Sequence, residues 1–279
     1  MLRWLRWYLA KRRLASVFWK RPPSHIKVTY LKNEGQVEDF SPNLEPYGKL
    51  ASIWDDYSGW YLPGYRGFLF AAANHFGITL TSVLDLACGT GLQARSLATM
   101  AELVIGLDIS DPMLRVAKSR TTSNNIRYVQ GDFLDFDLKE RFDAVLCASD
   151  SLNYVKNLGE LQKVFACVFR HLHPGGLFIF DVVDQRHFQM MASTKTVASV
   201  NGEGFETCYF YDADKRVSES RVLLEGGAIE RHRRIPIDEM DVEISAYKAD
   251  LEIIERFPQR IWLFPSGRVF YVLRQGSTI

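Results

Sequence analysis

Residues 82–91 read Ser-Val-Leu-Asp-Leu-Ala-Cys-Gly-Thr-Gly, and this stretch decides the fold. Val83, Leu84 and Leu86 make a short apolar run suited to a buried strand. Gly89 and Gly91 break that run, and Leu92-Gln-Ala-Arg-Ser-Leu-Ala98 resumes with helical spacing. Strand, glycine turn and helix together open a nucleotide-binding α/β domain. The glycines let the backbone turn sharply against a ligand, and the helix N-terminus behind them offers unpaired N–H groups. The next strand, Leu103-Val-Ile-Gly-Leu107, ends in Asp108, an acidic side chain able to accept hydrogen bonds from both hydroxyls of a ribose.

The surrounding chain has 279 residues, 47% hydrophobic and 24% charged, enough for one full α/β domain and an embellishment. A net charge of +1 argues against a surface built to grip nucleic acid. Cys88, Cys147, Cys167 and Cys208 show neither a CxxC pair nor metal-ligand spacing. They read as free thiols of a reducing compartment, with no metal site and a cytoplasmic location expected. No run of about 20 uncharged apolar residues occurs, so no transmembrane helix is expected.

Four motifs in order extend the reading: Asp85-Leu-Ala-Cys-Gly-Thr-Gly91, Gly106-Leu-Asp108-Ile-Ser110, Gly131-Asp132-Phe133, and His173-Pro-Gly-Gly176 before a strand. Over roughly residues 50–185 the sequence resembles the class I S-adenosylmethionine-dependent methyltransferases, in particular small-molecule N- and O-methyltransferases such as the glycine N-methyltransferase-like enzymes. The resemblance implies a Rossmann-like, seven-stranded, doubly wound sheet whose last strand runs antiparallel, with S-adenosylmethionine as cofactor. It carries onto this chain a cofactor set of Tyr57, Asp85, Ala87, Cys88, Gly89, Gly91, Asp108, Ile109, Met113, Asp132, Phe133 and Cys147. Within it, Asp132 would accept from the adenine amino group and Phe133 would supply a backbone N–H. A nicotinamide-binding Rossmann domain competes, because Gly89-x-Gly91-x-x-Ala94 also fits the dinucleotide fingerprint. Asp85 counts against it, since a carboxylate there meets an amino group and repels a pyrophosphate. The Pro-Gly-Gly turn has no part in that fingerprint, and no second catalytic domain is evident.

Residues 1–23 differ from the rest, with seven Lys or Arg, no acid and three of the six tryptophans. A basic, Trp-rich amphipathic helix over residues 1–21 could lie on an anionic membrane surface or dock a subunit, and packing of its aromatics on the protein's own catalytic domain is favoured. Pro22-Pro23 ends it. A short strand is expected at His25–Tyr30, and residues 1–48 are set apart as an N-terminal segment. Residues 49–77 read as helical with a break at Pro63-Gly64, and 49–183 form the cofactor-binding core. Ile53-Trp-Asp-Asp-Tyr57 resembles the lid of small-molecule methyltransferases, which carries a cofactor-facing role onto Tyr57 and an acceptor role onto Trp54; core aromatics of a packed helix pair are the alternative.

Ser110-Asp-Pro112 starts a helix with an N-cap candidate and a first-turn proline. Phe142–Ala148 is a strand, followed by Ser149-Asp-Ser-Leu-Asn-Tyr154 where an open α/β sheet places its chemistry. This loop makes Asn153 and Tyr154 acceptor-side candidates. A nucleic-acid amino-methyltransferase would show an Asn- or Asp-Pro-Pro-aromatic signature here, and it is absent. A helix over 158–172 and a strand over 177–183 follow. Residues 184–237 read as an inserted antiparallel sheet with strands at Tyr209–Tyr211, Val217–Leu224 and Ala228–Ile235, one wall of an acceptor pocket. In Arg231-His-Arg-Arg234, Arg233 is the candidate contact to an acidic acceptor group, against a solvated strand face as the plain alternative. His187 is the candidate base, with Tyr57 and Asn153 beside it in the catalytic set. Residues 238–279 supply a helix near 238–249 and strands at 251–256 and 268–274, with Pro258–Gly267 as a loop carrying Trp262 and Phe264. The sequence thus points to methyl transfer onto a nitrogen or oxygen of a small molecule. An NAD(P)-dependent oxidoreductase and a cofactor-binding protein without transfer remain as alternatives, and only the basic N-terminus favours a macromolecular acceptor.

Overall fold

The computed structural model describes residues 2–17, 26–32, 43–44, 46–59, 63–192, 194–200, 202–261 and 264–276. The chain begins with α1 (Leu2–Val17), β1 (Ile26–Lys32), β2 (Asn43–Leu44), α2 (Trp54–Ser58) and α3 (Pro63–Phe76). Then β3 (Ser82–Leu86), α4 (Leu92–Leu97), β4 (Leu103–Asp108), α5 (Asp111–Arg120), β5 (Ile126–Gln130), β6 (Phe142–Cys147), α6 (Leu158–His171) and β7 (Leu172–Val183) alternate strand and helix with one exception. After α7 (Gln185–Met191) come β8 (Thr194–Val200), β9 (Glu203–Asp212), β10 (Val217–Leu224) and β11 (Ile229–Arg234). The chain finishes with α8 (Glu239–Lys248), β12 (Leu251–Ile261) and β13 (Phe264–Gln275).

Seven strands form one sheet in the order β12-β13-β7-β6-β3-β4-β5. Strands β3 to β7 are parallel, and β13 runs antiparallel to both β7 and β12. Both faces are covered, which is why the central strands read as continuous apolar runs. Leu84, Leu86, Ile105 and Phe178 pack on the face of Phe165 from α6 and Val242 from α8. Val83, Val104, Ala144 and Ile179 pack on the opposite face, under Tyr65, Phe68 and Leu69 of α3. Trp7 of α1 joins that second face, stacked on Phe68 with ring centroids 4.9 Å apart.

Local signals set the helix starts. Ser110 caps α5 by accepting the Met113 N–H at 3.4 Å, with Pro112 in the first turn. Asn157 caps α6 by accepting the Glu160 N–H at 3.0 Å. Pro63 is the first residue of α3, so the break expected inside a helix is a helix start, and a 3-10 turn at Leu50–Ser52 precedes α2.

The smaller sheet departs from the expected domain division. Its order is β1-β8-β9-β10-β11-β2, so residues 26–32 and 43–44 belong to the same sheet as the insertion and not to a separate N-terminal segment. Strand β1 lies antiparallel on β8 from Ile26↔Val200 to Lys32↔Thr194. The insertion contributes four strands, one more than expected, and β9 runs well beyond the expected Tyr209–Tyr211. Pro22-Pro23 and residues 33–42 lie outside the described residues. The loop expected over Pro258–Gly267 is largely a long hairpin: β12 extends to Ile261, and β13 begins at Phe264. Pro258 is tolerated because β12 is the outer strand and its pairing shifts register between Pro258 and Arg260. Trp262 and the Phe264 side chain lie outside the described residues.

Gly91 combines two constraints. Its φ is +70°, and a Cβ built on it would lie 2.7 Å from Tyr128 Cζ. Gly91→Ala is therefore expected to destabilise the protein by roughly 2–4 kcal/mol through backbone strain and overpacking together. Thermal unfolding checks this, and in a double-mutant cycle Tyr128→Ala should recover the packing part but not the strain.

Candidate functional site

The carboxyl ends of β3, β4 and β6 bring the sequence-predicted cofactor residues together. Ala87, Gly89 and Gly91 all have positive φ, at +58°, +54° and +70°, which curls the chain tightly after β3. The Cys88 N–H donates to Leu107 O at 3.0 Å, tying this turn to the next strand. The two glycines serve different ends. Gly91 is crowded by Tyr128, whereas a Cβ on Gly89 would meet only Met113 Sδ, at 3.8 Å, so the Gly89 backbone borders open space.

Asp108 organises the turn. Its Oδ2 accepts the Gly89 N–H at 2.7 Å and its Oδ1 accepts the Ser110 N–H at 2.8 Å. Burial raises its pKa, opposed by these N–H groups and that of Ile109. A carboxylate has about four lone-pair directions, so Asp108 keeps acceptor capacity for a pair of hydroxyls. Beside it, Ile109 is 65% exposed, a large apolar side chain presented to the same rim. Phe133 is half-buried, and Asp132 is exposed with Oδ1 accepting the Leu134 N–H at 2.9 Å. Met113 is buried behind Gly89.

Asp85 is 2% exposed, and its Oδ2 has no hydrogen-bond partner. Burial pushes its carboxyl up to about 8, with the Ala94 N–H opposing and Asp108 adding to the rise. An orphaned buried carboxyl oxygen, an uncovered glycine backbone and an exposed apolar side chain at one rim fit a ligand that carries an ammonium, a ribose and an adenine. Cys88 and Cys147 are buried, and burial pushes both thiols up, so they form the floor of this region as neutral groups.

The segment before α3 is latched to the glycine turn through Asp55, a residue the sequence did not single out. Asp55 accepts from the Thr90 hydroxyl, from Arg95 at 2.5 Å and from Arg120 at 2.9 Å. Trp54 meets the ring of Tyr47 edge-on at 5.3 Å. Tyr57 lies in α2, and its side chain is outside the described residues.

The acceptor-side candidates divide. Asn153 is fully buried and fully committed: its Nδ2 donates to Val183 O and Ile235 O at 2.8 and 2.7 Å, and its Oδ1 accepts the Val183 N–H at 3.0 Å. It clamps the loop after β6 to β7 and to the end of β11, with both amide N–H groups spent inside the fold. Arg233 faces outward with its side chain 73% exposed, paired to Glu219 at 2.9 Å. The period of two along β11 turns Glu230, His232 and Arg234 inward instead.

Tyr154 joins a hydrogen-bonded chain. Its hydroxyl lies 2.8 Å from the Tyr47 hydroxyl and 3.0 Å from His232 Nδ1, and His232 Nε2 lies 3.7 Å from Glu230 Oε2. Glu230 also accepts the backbone N–H groups of Tyr47, Lys49 and Leu50 at 2.9, 2.6 and 3.1 Å. Burial would raise the Glu230 pKa, but His232 and these N–H groups hold it below the usual range.

Next to this chain lies a buried ion cluster at the ends of β6, β7 and β13. Asp150 pairs with Arg234 at 2.6 Å and with Arg268 at 2.7 Å, and Arg268 also pairs with Asp181. Burial opposes ionisation of Asp150, yet the two guanidiniums hold its carboxyl below the ordinary value. His187 faces the same cluster, with Nδ1 3.3 Å from Ser266 O. Burial, reinforced by Arg268 and Arg234, pushes its pKa down to about 4, so it is a neutral imidazole and a weak base. Sequence reading singled out none of Tyr47, Asp150, Asp181, Glu230 and Arg268, and within the run Arg231–Arg234 it chose Arg233 over His232 and Arg234. For the three on β11 a signal existed, because strand alternation separates residues 230, 232 and 234 from 231 and 233.

Residues 83–176 match the family described as a methyltransferase domain. A putative methyltransferase of Bacillus subtilis is 40% identical over 102 residues, which are 36% of this chain and 41% of that protein. A dTDP-4-amino-2,3,4,6-tetradeoxy-D-glucose N,N-dimethyltransferase of Saccharopolyspora spinosa is 36% identical over 100 residues, 36% of this chain and 39% of that protein. The chain thus spans about two-fifths of the length of these two relatives. Among solved structures, an S-adenosylmethionine-dependent methyltransferase from Clostridium acetobutylicum superposes with a TM-score of 0.71 at 23% identity, covering 82% of this chain and 99% of that one. The strand order, the glycine turn with its two buried carboxyls and these matches agree: residues 83–176 match a methyltransferase domain, set in a fold shared with a solved S-adenosylmethionine-dependent methyltransferase.

Proposed function

We propose that this protein transfers the methyl group of S-adenosylmethionine to a nitrogen of a small polar amine, of the amino-sugar kind. The observation that carries the reading is the juxtaposition at one sheet edge of the Asp85–Gly89–Asp108 rim and the buried polar wall of Tyr154, His232 and Arg234. Two features support the acceptor class: the inward wall is polar and charge-balanced, and the Saccharopolyspora relative is named for an amino-sugar acceptor.

Asp108 would hold the ribose hydroxyls, Asp85 the amino group, and Ile109 with Phe133 the adenine. The bound cofactor supplies an electrophilic methyl on sulfur. What the chain adds is alignment, exclusion of water and a destination for one proton. The Asp55 latch closes the lid segment over the glycine turn. A methylated nitrogen must lose a proton, and His187 is too weak a base to receive it. The Tyr154 hydroxyl can take that proton as it passes its own to His232, leaving an imidazolium 3.7 Å from the Glu230 carboxylate.

Calorimetric titration with S-adenosylhomocysteine and conversion of S-adenosylmethionine with a panel of amino sugars test the reading. Absence of binding, or binding without turnover of any amine, would overturn it. Asp108→Ala is expected to weaken S-adenosylhomocysteine binding at least about tenfold, the value of a lost charge-assisted hydrogen bond. Asp85 sets a pH dependence. Its carboxyl is raised to about 8 in the free protein and must ionise to meet an ammonium. Affinity should therefore rise with pH up to about 8 and level off above it, with proton release below that pH, and Asp85→Asn should flatten the profile. His232→Gln is expected to lower kcat by about a hundredfold with cofactor affinity unchanged, measured in single-turnover assays.

A further inference from the structure

The basic N-terminal helix is left unused by the methyl-transfer site, and the structure fixes how it is turned. Trp7 is 3% exposed, stacked on Phe68 and on His75, and its Nε1 donates to Glu255 at 3.2 Å. Lys11, one turn later, pairs with the same Glu255 at 2.8 Å. With positions 7 and 11 facing the domain, the opposite side of α1 faces away from it. Leu5 and Leu9 lie there, 46% and 45% exposed, with Tyr8 bordering them at 40% and Trp4, 59% exposed, stacked on Tyr8 from the edge nearer Trp7. Arg3, Arg6 and Arg12 are exposed around this strip. Residues 1–23 contain no Asp or Glu to neutralise them.

We propose that this outward face of α1 is an interfacial anchor that seats the protein on an anionic lipid bilayer. Trp4, Leu5, Tyr8 and Leu9 would enter the headgroup boundary, and Arg3, Arg6 and Arg12 would lie among the lipid phosphates. Aromatic rings with a polar edge and arginines bordering an apolar strip are the composition that suits this layer. Charge decides between occupants. A second copy of this chain docked face to face would set arginine against arginine, whereas an acidic leaflet attracts each of them. Among the described residues no helix is long and apolar enough to cross a membrane, so the mode is surface seating.

The test is co-sedimentation of the full chain with phosphatidylcholine vesicles, with and without phosphatidylglycerol, while S-adenosylhomocysteine affinity is measured on the same samples. The protein is expected to pellet with the anionic vesicles only and to be released by salt. Leu5→Glu with Leu9→Glu, and separately Arg3, Arg6 and Arg12 all changed to Gln, should each weaken that binding at least about tenfold. Cofactor affinity and melting temperature should not move, since all five side chains are exposed. Failure to pellet, equal binding to neutral vesicles, or a dimer that the Leu5→Glu/Leu9→Glu variant dissociates would overturn the proposal. None of these outcomes depends on the methyl-transfer reading, which the cofactor titration tests separately.

Discussion

A single buried carboxylate holds the reactive edge of this molecule in shape. Asp181, at the end of β7 and fully buried, accepts the Ser149 N–H at 2.8 Å and the Asp150 N–H at 3.0 Å, and the Tyr65 hydroxyl donates to it at 2.8 Å. Arg268 completes its shell. Ser149 and Asp150 stand at φ of +61° and +49°, conformations that non-glycine residues adopt only when their surroundings enforce them. Asp181 supplies that enforcement. With the backbone so turned, the Asp150 side chain points at Arg234 and Arg268, and through them β11 and β13 are registered on the loop after β6. A cluster of this kind adds little net stability over a well-packed apolar core, yet removing one partner leaves a buried charge uncompensated, at about 3–5 kcal/mol. Its value lies in geometry: it fixes where the acceptor wall stands relative to the glycine turn.

That wall depends on a second anion. Glu230 collects three backbone N–H groups from Tyr47, Lys49 and Leu50 while lying beside His232 on the same face of β11. The segment leading into the lid is thereby anchored to the inserted sheet, and Asp55 anchors the following helix to Thr90, Arg95 and Arg120. Cofactor side and acceptor side are thus tied through residues 47–55, a stretch with little regular structure of its own. Its order comes from two carboxylates, Glu230 on β11 and its own Asp55.

How far the sequence shows this follows from the range of each interaction. The parallel strands, the glycine turn and the Ser110 cap were legible because each is a local pattern of spacing or a short motif, whereas the antiparallel last strand was expected only through the family resemblance. The helix boundaries of α6 and α8 were legible for the same reason. The pairing of residues 26–32 with 194–200 was not, because nothing in either heptapeptide specifies a partner over 160 residues away. Asp181 reads as one polar residue in an apolar strand until Arg268 and Tyr65 are placed beside it. Arg233 and Asn153 were chosen by position in a motif, and each was displaced by geometry: strand alternation turned Arg233 outward, and saturation of its amide turned Asn153 into a clamp. His232 sits between two arginines in a run that looks solvated, and only the period of two identifies its inward face.

The same contrast separates the two buried carboxyls of the cofactor rim. Asp108 is surrounded by N–H donors, so its charge is supported before any ligand arrives, and it can act as a preformed acceptor. Asp85 has burial without that support, and its free oxygen holds a proton at neutral pH. One acid is thus organised by the fold and the other by what binds. A ligand bearing an ammonium beside Asp85 would supply the charge that the fold withholds, which makes recognition at this position conditional on a cation. A pyrophosphate would find there either a neutral acid that donates one hydrogen bond or, on ionisation, direct repulsion. On the proposed function, discrimination between a sulfonium amino acid and a dinucleotide would reside in how poorly Asp85 is solvated, a property of its burial more than of its place in the motif.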